Sequence, residues 1–267
     1  MSIYNIRASS WGSLFDCAHK WEGVHLLGMK KPSGPRALLG SAWHASTAAF
    51  DNSRINGDGL TSDDTAGIVS DTINKPPYEI DWTSDELSAK DAEKIAINLH
   101  GIYCNDWSPK YNFVSVEMET KPFQIDCGGD LSIQLTGTMD RSRIKKGHDG
   151  AGIADLKSGG NAVQKGAAKT KGHAAQVGTY ELLFEHTTGL YITQDAEIIG
   201  AKTKGKPEIA SGTIKNSKQL LIGTDTQKGL IEYAAEMFRA GLFPPNPQSH
   251  LCNPKYCARW DTCIFHD

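Results

Sequence analysis

The sequence predicts an α/β domain in which helices flank a central mixed β-sheet, and three observations carry that prediction. Helical periodicity dominates residues 1–110, strand-like runs crowd Phe113 to Lys157, and a helix, a strand and another helix follow. With 267 residues and 39% hydrophobic content, the chain can bury one substantial core. A single domain over 1–267 is expected, with a helical part at 1–110, an α/β core at 111–243 and a cysteine-bearing segment at 244–267.

Ser9 and Ser10 mark the cap of a first helix, in which Leu14, Cys17, Ala18, Trp21 and His25 recur at helical spacing and place Cys17 inward. A second helix is expected from Arg36 to Asp51. Gly57, Gly59, Pro76 and Pro77 make Asn52 to Asp85 a loop with a short helix near Thr65 to Asn74, and Leu87 to Trp107 resumes as one long helix. In the strand region Val114, Val116 and Met118 are expected to face inward, leaving Ser115, Glu117 and Glu119 on the other side. Leu131, Ile133 and Leu135 alternate with polar residues. The run from Leu135 to Arg141, a charged turn at Lys145, Lys146, Gly147, His148, Asp149 and Gly150, and the run from Gly152 to Gly159 read as a hairpin. A helix from His173 to Glu185, a strand from Ala196 to Lys202 and a long amphipathic helix from Lys218 to Ala240 complete the order.

The chemistry concentrates in that hairpin. Side chains two apart on a strand share a face, so Asp155 and Lys157 point the same way, and a hairpin partner can bring Asp140 beside them. Two neighbouring carboxylates repel unless a divalent cation sits between them, and hard oxygen ligands suit Mg²⁺ or Mn²⁺. Such a cation polarises a phosphoryl oxygen and lowers the pKa of a water, while Lys157 holds or deprotonates that water or neutralises charge on the phosphate. An acid two residues before a lysine is a cheap pattern, however. Glu119 and Lys121 repeat it, with Pro122 following at once.

Cys252, Cys257 and Cys263 put three thiols into twelve residues, just after Pro244, Pro245 and Pro247. Three thiolates leave a tetrahedral site or a cubane one ligand short, and Cys17 is the leading candidate for the fourth, with His250 and His266 as local substitutes. No secretion-like segment occupies Met1 to Lys20, so a reducing cytoplasm is expected and disulfides are not. Cys104 and Cys127 read as small core hydrophobes.

The order Cys17, Gly40-Ser41-Ala42-Trp43-His44, Glu117, Gly137-Thr138-Met139-Asp140, Asp155-Leu156-Lys157, Gln176 to Tyr180 and the three C-terminal cysteines resembles the RecB-like branch of the PD-(D/E)XK nucleases. Its cluster-bearing members occur in AddB, CRISPR-associated and phage enzymes. The resemblance implies a restriction-endonuclease-like core whose N- and C-termini meet at a cysteine metal or cluster site. It implies metal ligation by Asp140, Asp155, the Leu156 carbonyl and His44, and a catalytic Lys157. Glu117 matches the acid preceding the core hairpin, and Gln176 and Tyr180 match residues that help to position DNA or the site. The four cysteines match ligands of a [4Fe-4S] cluster. Four residues separate Cys252 from Cys257 where many members have two, which leaves Zn²⁺ as the alternative. Singly, each residue has an ordinary reading: His44 as a satisfied helix-edge histidine, Glu117 as a solvated strand residue, Gln176 and Tyr180 as helix packing at i,i+4.

A net charge of −3 argues against a dedicated high-affinity duplex binder. Two basic runs soften that: Lys165, Lys169 and Lys171, and then Lys202, Lys204, Lys206, Lys215 and Lys218, can each track a phosphate backbone or simply be solvated surface. Tyr180 and Tyr191 can stack on unpaired bases. No apolar run is long enough to span a membrane. The expected function is a Mg²⁺- or Mn²⁺-dependent DNA nuclease, an exonuclease on single-stranded or resected ends in recombination, repair or replication. A non-catalytic zinc-containing DNA-binding or recombination partner is the competing class. A small-molecule phosphatase is weaker, because the chain lacks a Walker-type glycine loop and paired histidines.

Overall fold

A computed structural model describes residues 2–144 and 150–266, so the expected charged turn at Lys145, Lys146, Gly147, His148 and Asp149 lies outside the described residues. In chain order the elements are β1 (Ser2–Arg7), α1 (Trp11–Asp16), α2 (Ala18–His25), α3 (Pro35–Asn56), α4 (Ser62–Asn74), α5 (Ala89–Ile102), β2 (Asn112–Glu119), β3 (Phe123–Asp126), β4 (Leu131–Thr136) and β5 (Thr138–Ile144). They continue with β6 (Ala151–Gly159), β7 (Val163–Gln164), β8 (Ala167–Ala168), α6 (Ala174–Thr188), β9 (Ala196–Lys202), β10 (Glu208–Ile214), α7 (Ser217–Ile222) and α8 (Leu230–Ala240).

Among the described residues, the main sheet runs β10-β9-β6-β5-β2, with β6 and β9 parallel and the other neighbours antiparallel. Alternation along its strands builds two layers. Ile153 and Ile198 face a core that includes Val177, Leu183 and Phe184 of α6. Ala154, Leu156, Ile199 and Ala201 face Trp43 of α3 and Leu99 of α5. β6 is thus covered on both faces, and a polar side chain on it must find a partner inside the protein. A second sheet, β1-β4-β3, pairs β1 parallel to β4 and stacks Tyr4 on Phe238 of α8, with ring centroids 4.3 Å apart.

The structure revises several expected elements. The first helix breaks at Cys17, whose extended backbone (φ −146°, ψ 93°) separates α1 from α2. Ser10 stands at the cap position of α1, but its hydroxyl donates to Arg7 O at 2.9 Å rather than accepting from the helix. The short helix begins earlier than Thr65, because Thr61 and Asp64 form a reciprocal capping box. The helix expected from Leu87 to Trp107 is α-helical only to Ile102 and continues as a wider turn over Tyr103–Trp107. The helix expected from Lys218 to Ala240 is two helices. Gly223 takes φ +76°, and any side chain on Gly229 would meet Leu221 O, so the chain turns back at Thr224, whose N–H reaches Gln227 O at 2.8 Å. Val114 is exposed because β2 bulges between Phe113 and Ser115, so Phe113 fills the inward place instead.

The C-terminal segment folds back on the first helices. Asn246 Nδ2 donates to Asp16 O at 2.9 Å, Ser249 to the Asp16 carboxylate, and Arg259 to Glu22 Oε2 at 2.7 Å. After β6 the chain makes a tight hairpin, β7–β8, whose two-residue tip Lys165-Gly166 has positive φ at both positions. That hairpin lies against β9 at Gly200, the register partner of Lys157, where an added methyl group would sit 2.5 Å from Ala162 O. Gly200→Ala should therefore cost about 1–3 kcal/mol of stability in urea unfolding. An unchanged unfolding midpoint would show that this contact is not tight.

Candidate active site

The site forms where β5 and β6 part. Their ladder runs from Ile144↔Ala151 to Arg141↔Ala154, and the Leu156 N–H then donates to Asp140 Oδ2 at 2.7 Å, a side chain standing in for the strand. Asp140 Oδ1 lies 3.7 Å from His44 Nδ1, which α3 supplies from the helical layer. One step along β6, Asp155 has no solvent exposure. Its Oδ1 accepts from Gln176 Nε2 at 3.3 Å, and the same amide donates to Tyr180 OH at 3.1 Å, so two residues one turn apart on α6 face the strand together. Its Oδ2 pairs with the Lys157 ammonium. Lys157 Nζ also reaches Leu156 O at 3.5 Å.

Glu117 lies on β2 between the pairs Val116↔Arg141 and Met118↔Met139, across from Asp140. Its φ of +47° is unusual for a residue with a side chain and marks local strain of the kind that accumulates at functional sites. Ligand atoms of His44, Glu117 and Asp140 all lie within 4.8 Å of one another. A cleft of about 530 Å³ opens over His44 and Glu117, bounded by Gly40, Ser41 and Ala45.

Burial raises the Asp155 pKa; the Asp140 charge adds to it, and Lys157 offsets only part. Burial works the same way on Asp140, yet His44, Lys157 and Arg141 together hold its carboxyl below the usual range. The two acids thus divide as neighbouring carboxylates do, one kept ionised and the other pushed towards its neutral form. Glu117 is raised by burial and by Asp140. For His44, burial favours the neutral ring, but the Asp140 charge and hydrogen bond win and raise it. His173, just before α6, is lowered to about 4 by burial and by Lys157 and Lys169. Carboxylate oxygens with one imidazole and an adjoining open cleft fit a hard divalent cation with room for water.

Asp140, Asp155, Lys157, Gln176 and Tyr180 come together as the sequence suggested. His44, Glu117 and Asp140 bring atoms of metal-ligand type close together, and Asp155 adjoins them, engaged with Lys157 and Gln176. Tyr180 is 5% exposed and offers no ring face to a base, whereas Tyr191 is 78% exposed. Lys165, Lys169 and Lys171 are exposed on and after the β7–β8 hairpin. Cys17, Cys252, Cys257 and Cys263 line one small cavity with Pro245 and Pro247. His250 and His266 are not in its lining, and His266 instead stacks on Trp260, with ring centroids 3.9 Å apart. Cys104 is buried and Cys127 half-buried, and no cysteine is in a disulfide. Sequence reasoning missed Arg141 and Asp51. The available signal was the i, i+3, i+7 spacing of His44, Thr47 and Asp51, which puts them on one face of α3.

The sequence profile of the PD-(D/E)XK nuclease superfamily matches residues 8–264. No curated protein matches the chain. Among solved structures, a protein of Eubacterium rectale provisionally named an exonuclease superposes with a TM-score of 0.51 at 16% identity, over 93% of this chain and 87% of that one. At that identity the likeness is one of fold. A second, SSO0001, gives 0.45 at 14% identity over 98% of this chain and 86% of that one, too distant to add to it.

The raised Asp155 pKa carries a stability signature. An acid whose folded pKa lies above its unfolded one contributes stability below the ordinary carboxylate range and loses it as pH rises through the folded value. In EDTA, Asp155→Asn should therefore raise the thermal midpoint at about pH 8, and the gain should shrink towards about pH 4. A variant less stable than wild type across that range would contradict the assigned direction.

Proposed function

The chain belongs to the PD-(D/E)XK nuclease superfamily, and from that membership we propose that it is a Mg²⁺- or Mn²⁺-dependent deoxyribonuclease of the RecB-like branch, an exonuclease acting on single-stranded or resected DNA ends. The observation that carries this reading is the convergence of His44, Glu117 and Asp140 within 4.8 Å, with the Asp155–Lys157 pair on the adjoining strand. His44, Glu117 and Asp140 would hold the cation, with Asp155 and the Leu156 carbonyl beside them. A divalent cation held there supplies a Lewis acid for the phosphate and eases deprotonation of the attacking water. Lys157, as an ammonium, then donates to that water's surroundings and orients it, and its charge offsets the negative charge gathering on the phosphate. Gln176 fixes Asp155 through one hydrogen bond and is itself braced by Tyr180, so α6 acts on the chemistry through orientation. Lys165, Lys169 and Lys171, exposed on and after the β7–β8 hairpin, would track the substrate backbone away from the reacting phosphate. An overall charge of −3 fits an enzyme that grips its substrate locally.

We further propose that the four cysteines hold a [4Fe-4S] cluster that closes residues 1–267 into one domain, in a protein working in a reducing cytoplasm in recombination, repair or replication. They line a common cavity, and four thiolates complete the ligand set of a cubane.

Two experiments test these readings. With Mn²⁺, wild-type protein should degrade end-labelled linear single-stranded DNA and spare circles, and Lys157→Ala should lower the rate at least about a hundredfold. Unchanged cleavage in that variant would exclude the mechanism, and a wild-type protein leaving DNA intact would favour the non-catalytic reading. Cys257→Ser should remove bound iron and brown colour and lower the thermal midpoint; a colourless wild-type protein with one zinc would overturn the cluster.

A further inference from the structure

The Arg141 guanidinium is fully buried and is shared among three elements that carry the candidate ligands. Its Nε donates to Asp51 Oδ2 at 2.8 Å and its Nη2 to Thr47 Oγ1 at 3.4 Å, both on α3, the helix of His44. Its Nη1 donates to Asp140 O at 2.7 Å and to Glu117 Oε1 at 3.3 Å. Asp51 is equally committed: it is buried, accepts from Tyr103 OH at 2.6 Å and from the Ser108 hydroxyl, and Arg54 anchors Ser108 in turn at 2.6 Å.

Two facts make this more than a buried ion pair. Glu117 is the exposed member of the ligand group, its side chain 40% accessible, and it faces the like charge of Asp140; left to itself it would rotate into solvent. Its left-handed backbone also needs an external restraint. Arg141 supplies both the opposing charge and a directed hydrogen bond, and a carboxylate has lone pairs left for a cation while it accepts from a guanidinium. Only a planar fork can meet Asp51, Asp140 O and Glu117 at once; a lysine keeps the charge and loses the geometry.

We propose that Arg141, held by Asp51, is a positioning residue that keeps Glu117 aimed at Asp140 and His44 before a cation arrives, so that the ion meets ligands already in place. This rests on the metal-site reading of the preceding subsection. Residues that orient metal ligands typically contribute about 10- to 100-fold to metal affinity.

Removing the guanidinium outright would strand buried Asp51, so the test uses Arg141→Lys in a double-mutant cycle with Glu117→Gln, read as Mn²⁺ affinity by electron paramagnetic resonance on proteins whose thermal unfolding remains cooperative. Arg141→Lys should weaken Mn²⁺ binding about 10- to 100-fold in wild-type background. It should have less than about a twofold effect when Glu117 is already Gln, because its action passes through that carboxylate. Asp51→Asn, which keeps the side-chain shape, should repeat the pattern and serves if Arg141→Lys does not fold. Equal losses in both backgrounds would overturn the positioning role and leave the metal site standing. No Mn²⁺ binding by wild-type protein would remove the metal site, and this role with it.

Discussion

Two carboxylates, Asp140 and Asp155, are drawn out of water next to each other at the point where β5 and β6 separate, and the rest of the site exists to manage that placement. Isolated charges in a low-dielectric interior cost several kcal/mol each unless they are paired and hydrogen-bonded. Asp140 is met by the Leu156 N–H and by His44, and Asp155 by Lys157 and Gln176. The opposite directions of their pKa shifts express the same repulsion.

The architecture follows from delivering partners to that point from both faces of a covered sheet. α3 supplies His44 from one side and α6 supplies Gln176 and Tyr180 from the other, while β2 brings Glu117 across from Asp140. Arg141 and Asp51 tie α3, β2 and β5 together through directed hydrogen bonds. At the far edge the C-terminal segment fastens to α1 and α2, bringing Cys17 to the cavity shared with Cys252, Cys257 and Cys263.

Much of this was legible in the sequence where the determining interaction is local or periodic. The β5–β6 hairpin, α6 and β9 follow from alternation and helical spacing, and the closeness of Cys252, Cys257 and Cys263 follows from their density after a proline-rich stretch. What was not legible depends on distant partners. β1 pairs with β4 across more than a hundred residues, and its short sequence has no turn signal to announce it. The break between α7 and α8 depends on close backbone approach at Gly223 and Gly229, which periodicity does not register. The bulge at Val114 reverses the face of one residue, and Glu117, expected at the site, takes a left-handed backbone angle that its neighbours do not announce. Asp155 is held by Lys157, two residues on, and by Gln176 from α6, and the Gln176 contact depends on how α6 packs.

The most direct measurement is anomalous diffraction at the manganese edge from crystals soaked in Mn²⁺. The account predicts a peak within coordinating distance of His44, Glu117 and Asp140, with the Asp155–Lys157 pair next to it. No peak there, or a peak held by other residues, would contradict it.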